Sequence, residues 1–225
     1  MSDDMADESH LWQGVKRLIG NDRLQLGRHW SFNLRNDPKR LSFVLSRYKF
    51  AAKMIGQRSI LELGCSEGIG TPILAESALR YVGVDSDDDA IATARYNFDS
   101  ETCSFISADF LGQSFGKFDA VVSLDVCEHI MPEAEHTYFD SVVSSLGPEG
   151  IAVIGTPNET SDVYASPMSK AGHVNLFNHH RMRQTLEQLF HNVFMFGFND
   201  EILHTGFEPM CHYVIAVACN PKGRR

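Results

Sequence analysis

The stretch Ile60-Leu61-Glu62-Leu63-Gly64-Cys65-Ser66-Glu67-Gly68-Ile69-Gly70 constrains the fold more than any other part of the chain. Ile60, Leu61 and Leu63 read as a short buried strand, and the glycines that follow permit the backbone torsions of a sharp turn. Thr71 and Pro72 come next; a hydroxyl suits a helix cap and proline suits the first helical position. The expectation is a strand, a glycine-lined turn and a helix over 71–80 whose positive end faces a ligand.

The rest of the chain repeats that alternation. Residues 81–85 predict a second strand ending in Asp85, and Asp87, Asp88 and Asp89 suit the start of a helix over 88–98. A third strand is expected at 105–110, with Asp109 and Phe110 at its end, and a fourth at 118–124. A helix over 132–146, a turn at 147–150, a fifth strand at 151–155 and late strands at 193–198 and 213–219 follow. Asn178 can cap a helix whose Met182, Leu186, Leu189 and Phe190 share one face. Strand-helix alternation predicts an α/β, Rossmann-like doubly wound and mostly parallel sheet with helices on both faces. Ligands of such sheets lie beyond the strands' carboxyl ends, where the acids fall.

Before the glycine turn, residues 1–10 are expected to be disordered and 11–19 to form a short amphipathic helix. The segment Gly27-Arg28-His29-Trp30-Ser31-Phe32-Asn33 is either a packed connecting loop or a lid. Asp37-Pro38 starts a helix with Leu41, Val44, Leu45, Tyr48, Ala52 and Ile55 at helical spacing, and Gly56 ends it. The expected division is a tail and lid segment over 1–36, one domain over 37–221, and a basic tail over 222–225.

Charge and cysteine usage narrow the function. A net charge of −9 argues against a nucleic-acid surface and favours a small-molecule partner. Five cysteines without a Cys-x-x-Cys pair suggest neither a disulfide framework nor a zinc knuckle, so a reducing cytoplasm is expected. No apolar run approaches a membrane span. The sequence does not speak to oligomeric state.

A dinucleotide fingerprint, Gly-x-Gly-x-x-Gly, fits the turn in no frame. The stretch instead resembles the first motif of class I S-adenosylmethionine (SAM)-dependent methyltransferases: a hydrophobic strand, an acid at Glu62, then Gly-x-Gly-x-Gly with Ser66 at the middle glycine. The resemblance implies a seven-stranded sheet and a cofactor site made from Glu62, Gly64, Cys65, Ser66 and Gly68. It further implies Asp85 and the neighbouring Ser86 at the ribose, Asp109 and Phe110 at the adenine, and Asp125 beyond the fourth strand. SAM is then the cofactor and S-adenosylhomocysteine (SAH) the product.

Asp125, Glu128 and His129 stand at i, i+3 and i+4, so one helical turn can point all three at one place. With His173 this spacing resembles two metal-dependent branches of the superfamily, the ubiquinone-biosynthesis O-methyltransferases and the small-RNA 2'-O-methyltransferases. The resemblance implies Glu128, His129 and His173 as catalytic residues, and Asp125, Glu128, His129 and His173 as ligands of a divalent ion. A metal-free site with a histidine base and a purely structural pair stay open beside it. His179 and His180 read as helix-start residues, while His204 and His212 stand open as substrate contacts. The expected activity is O-methylation of a small hydroxylated metabolite. RNA ribose methylation and non-catalytic SAM binding are the alternatives.

Overall fold

In the computed structural model, which describes residues 4–223, five parallel strands pair side by side. β1 (Ser59–Leu63), β2 (Arg80–Asp85), β3 (Cys103–Ser107), β4 (Phe118–Leu124) and β5 (Leu146–Pro157) run parallel in the order β3-β2-β1-β4-β5. The inner strands β1, β2 and β4 are buried on both faces, which explains their near-continuous apolar runs, while β3 at the sheet edge alternates buried and exposed residues. Beyond β5 the sheet turns antiparallel through β8 (Tyr213–Pro221), β6 (Phe190–Asn199) and β7 (Ile202–His204). The sheet therefore has eight strands, not seven. The eighth is a three-residue edge strand that folds back on β6 after Asp200 takes φ 52°, and so short a strand leaves no alternation to read.

Each face of the sheet carries its own core. Leu61, Leu63, Val82, Val84 and Val121 pack on one side with α6 (Glu135–Ser144) and α8 (His179–Leu189). Ile60, Tyr81, Ala120 and Val122 pack on the other with α3 (Arg40–Ile55) and α5 (Asp88–Phe98). The period-two pleat of β1 sends Glu62 to the second side, where the carboxylate accepts from the Tyr48 hydroxyl at 2.6 Å and from the Tyr81 hydroxyl.

Several element boundaries differ from expectation for local reasons. The helix after the glycine turn, α4 (Thr71–Ala75), is a single turn rather than a run to residue 80. The Thr71 hydroxyl donates to Tyr81 Oη at 3.1 Å instead of capping the helix. β3 stops at Ser107, before Asp109, and β5 begins at Leu146 because the 147–150 turn joins the strand as an irregular extension. The segment 27–33, expected as a packed connecting loop or a lid, instead begins a helix, α2 (Arg28–Asn36), whose Trp30 enters the second core.

α1 (Asp4–Ile19) covers most of the stretch expected to be disordered, since helix formation needs no buried face where local propensity allows it. Its Leu11, Trp12, Leu18 and Ile19 face solvent. The polar segment 159–177 contains α7 (Pro167–Gly172), capped by Ser166. Asn178 caps α8 as its sequence suggests, with Oδ1 accepting from Arg181 N at 2.9 Å. Of the expected basic tail, Arg224 and Arg225 lie outside the described residues, as do residues 1–3; Lys222 Nζ donates to the Glu187 carbonyl at 2.6 Å.

Candidate active site

The loop after β1 is wired to the loop after β2. The amides of Gly64 and Cys65 both donate to the Val84 carbonyl, at 2.8 and 3.2 Å, and Ser66 N donates to Asp85 Oδ2 at 2.8 Å. Asp85 Oδ1 accepts from Asp87 N at 3.0 Å, so one carboxylate holds both loops while its remaining lone pairs stay available. These amides are thus committed within the protein, and a turn of wholly free amides is not what the backbone presents. Ser66 adopts φ 48°, a left-handed torsion that explains why glycine is usual at this position. Gly64, at φ 79°, has no room for a side chain because a Cβ would lie 2.3 Å from Val126 Cγ2.

Glu67, from the same loop, does something local patterns do not reveal. Its carboxylate accepts from His29 N at 2.7 Å and Trp30 N at 3.2 Å, capping α2 from 38 residues away. Gly27 is required beside it, since a Cβ there would meet the carboxylate. Asn97 adds reciprocal bonds to the Gln25 backbone, both at 2.8 Å. The result is a helix seated over the cofactor loop, with a cleft of about 690 Å³ between them that Ser66, Glu67 and His29 help to line.

The other expected cofactor residues divide by exposure. Asp109 is exposed and its Oδ1 accepts from Leu111 N at 3.0 Å; Phe110 is buried edge-on to Tyr138, with ring centres 6.4 Å apart. Ser86 is exposed beside Asp85. Cys65 is buried, and burial raises its thiol pKa well above the usual range. Glu62 is 1% exposed and bound to two tyrosines, so direct contact between its carboxylate and a ligand is excluded. Burial lifts its pKa to about 7, against the lowering by the Tyr48 and Tyr81 hydrogen bonds.

At the ends of β4 and β5 the expected four-residue cluster forms with three members. Ligand atoms of Glu128, His129 and His173 all lie within 4.8 Å of one another. Asp125 is not among them. It adopts φ 58° and binds Arg47 Nη1 through Oδ1 at 3.3 Å and Oδ2 at 3.2 Å, while the Arg47 guanidinium lies 3.6 Å from the Tyr213 ring centre. An Arg-carboxylate pair backed by an aromatic ring holds the short Asp side chain away from the histidines.

Glu128 is fully buried. Oε2 accepts from Thr156 Oγ1 at 3.0 Å, while Oε1 has no partner among the described residues. Burial first, and the neighbouring Asp125 charge second, hold its pKa above the ordinary carboxylate range. An unpaired oxygen buried this deeply is costly unless something binds it. His129 Nδ1 lies 2.9 Å from the Gly172 carbonyl, which can only accept, so Nδ1 carries the hydrogen and Nε2 is left with a free lone pair. The His129 and His173 rings meet edge-on at 5.1 Å, and desolvation followed by the His129 charge lowers the His173 pKa. Mixed carboxylate and imidazole donors suit a divalent first-row ion or Mg, and the unpaired Glu128 Oε1 fits that use.

The loop carrying His173 is fixed by contacts that sequence reasoning missed. The amides of Val174 and Asn175 donate to the Glu128 carbonyl at 2.8 and 3.1 Å. Asn175 Nδ2 donates to Glu135 Oε2 at 2.9 Å, and Arg181, stacked 4.0 Å from the Phe177 ring centre, binds both Asn175 and Glu135. His179 starts α8 as expected and pairs with Glu208 at 2.5 Å. His204 lies 3.5 Å from Cys211 Sγ, while His212 lines a cavity of about 300 Å³ that also reaches Asp125 and His173. Among the described residues no helix is long and apolar enough to cross a membrane.

Residues 32–193 match the methyltransferase domain family. The mitochondrial ubiquinone biosynthesis O-methyltransferase of Arabidopsis thaliana is 30% identical over 151 residues, 61% of this chain and 46% of that protein. The chain spans about half the length of the curated relatives it matches. N-methyltransferase NodS from Bradyrhizobium japonicum WM9, solved with SAH, superposes with a TM-score of 0.61 at 21% identity, covering 93% of this chain and 98% of that one. A chain of the complex between the Haloferax volcanii Trm112 methyltransferase activator and the putative methyltransferase gives 0.66 at 16% identity, covering 88% and 100%. The chain belongs to the methyltransferase domain family, within the class I SAM-dependent superfamily that its motifs resemble.

Proposed function

We propose that the chain transfers the methyl group of SAM to an oxygen of a small hydroxylated molecule, and that residues 37–221 form the catalytic unit, preceded by a tail and lid segment over 1–36. The observation that carries the reading is the Glu128, His129 and His173 cluster beside the acceptor-sized cavity, at the same sheet edge as the loop tied by Asp85. Gly64, Cys65, Ser66 and Gly68 shape the cofactor turn. Asp85 and Ser86 stand by the ribose, Asp109 and Phe110 by the adenine, and Asp125 at the junction of cofactor and acceptor.

In the reaction a lone pair on the acceptor oxygen forms a bond to the sulfonium methyl carbon. The carbon-sulfur bond breaks toward sulfur, giving SAH, and the acceptor proton leaves. The protein's task is alignment, which for ideal geometry contributes on the order of 7 to 11 kcal/mol, and proton removal. The free lone pair of His129 Nε2 can take that proton. A divalent ion held by Glu128, His129 and His173 would supply instead a lowered hydroxyl pKa and a fixed acceptor orientation. The two roles compete for one nitrogen, so the test must separate them.

Calorimetry with SAH and native mass spectrometry with Mg²⁺, Mn²⁺ or Zn²⁺ do so. SAH binding by wild type, with an ion retained there and lost in His129→Ala/His173→Ala, is the expected result. No heat with SAH would overturn the methyltransferase reading. Ion binding that ignores both substitutions would remove the metal role and leave His129 as base. RNA ribose methylation has less support, because the chain carries a net charge of −9 and Asp37, Asp162 and Asp200 line the cavity.

A further inference from the structure

The cavity beside His173 holds two arginines in different states. Arg47 is neutralised by Asp125. Arg40 lines the same wall, is only partly exposed, and its side chain has no hydrogen bond or ion pair among the described residues. It also stands at the first position of α3, after Lys39, in a first turn that contains no acid. Cations at that end oppose the helix dipole, so an anion bound at Arg40 would relieve two unfavourable arrangements together.

The rest of the wall defines what that anion belongs to. Asp37, Asp162 and Asp200 line the cavity without approaching Arg40 closely enough to pair with it, and Ser166 and Ser169 add hydroxyls. Carboxylates so placed accept from hydroxyl groups and repel anions in proportion to charge, so they disfavour a dianion such as phosphate more than a monoanion paired with Arg40. A volume of about 300 Å³ suits a compact molecule. Arg40 and His173 line the same cavity, which places the cation within a small molecule's length of the proposed reacting end.

Resting on the function proposed above, we propose that the acceptor is a small hydroxylated carboxylic acid whose carboxylate is bound by Arg40, the specificity-determining residue of the cavity. A guanidinium binds a carboxylate through two parallel hydrogen bonds, a geometry that a neutral amide cannot return.

The test compares acids with their carboxamides by calorimetry on the full chain, with and without SAH. The probes are 3,4-dihydroxybenzoate, 4-hydroxyphenylacetate and glucuronate. At least one acid is expected to bind wild type tenfold or more tightly than its amide. Arg40→Gln should bring that ratio near one, Arg40→Lys should restore part of it, and SAH affinity should stay within about twofold throughout. No preference for any acid, or a preference that survives Arg40→Gln, overturns the proposal. SAH failing to bind wild type would strike the methyltransferase reading alone, because the acid and amide comparison without SAH still decides the role of Arg40.

Discussion

The two halves of the sheet's carboxyl edge are built in opposite ways. At the ends of β1 and β2 polar groups are paired inside the protein: Asp85 holds Ser66 and Asp87, Glu67 holds His29 and Trp30, and Asp87 caps α5 through the amides of Asp89 and Ala90. At the ends of β4 and β5 buried polar atoms lack partners among the described residues, namely Glu128 Oε1, Arg47 Nε and Tyr213 Oη. The first half is organised before a ligand arrives. The second is organised for one, since buried polar atoms without partners cost free energy until something binds them.

The largest test of that contrast is the double substitution His129→Ala/His173→Ala. Turnover should fall by about 10²- to 10⁴-fold, the usual contribution of general acid-base groups, while SAH affinity measured by calorimetry changes little. Equal losses in both would mean that the two halves are one unit.

Next in size is a pH effect beneath the organised half. Folded Glu62 keeps its proton up to about pH 7, whereas the unfolded chain releases it near 4.5. The unfolded state therefore binds fewer protons across that window, and stability falls as pH rises from about 4.5 to about 7, by up to about 3 kcal/mol. Denaturant titrations across this range should show a steeper fall in wild type than in Glu62→Gln, which keeps the slope that the buried Glu128 contributes.

Asp85→Ala should weaken SAH binding by tens-fold, about 2 kcal/mol, because it unties two amides and removes a charged acceptor. Asp85→Asn should lose less. Glu67→Ala should cost about 1 kcal/mol of stability in a denaturant midpoint, as loss of a helix cap does, and should raise protease cleavage within 20–36. Arg28→Ala is the internal control. Its pair with Asp89 is 93% and 77% exposed, so no more than about 0.5 kcal/mol is expected.

Structure was legible in the chain where one residue's partners are its neighbours. Asp87 and Asn178 cap the helices that follow them, since both acceptor and amides lie within three residues. The parallel strands were legible because their apolar runs exceed what a surface strand carries. The eighth strand was not, because Ile202–His204 draws its pairing from β6 rather than from its own pattern. Glu67 read as one more acid in a glycine loop, although the required glycine at Gly27 was a faint sign of a close approach.

What the sequence by itself determined is the order of strands with acids at their ends, the glycine turn and the Glu128-His129 pair, because periodicity and torsional freedom are local properties. Only the tertiary structure decided which carboxylates face a ligand. Tyr48 and Tyr81 claim Glu62, and Arg47, 78 residues away, claims Asp125, so each acid is withdrawn by a partner that chain spacing cannot foretell. Side-chain hydrogen bonds form with whatever the fold brings within about 3 Å, and that neighbourhood is set by packing across the sheet rather than by position along the chain.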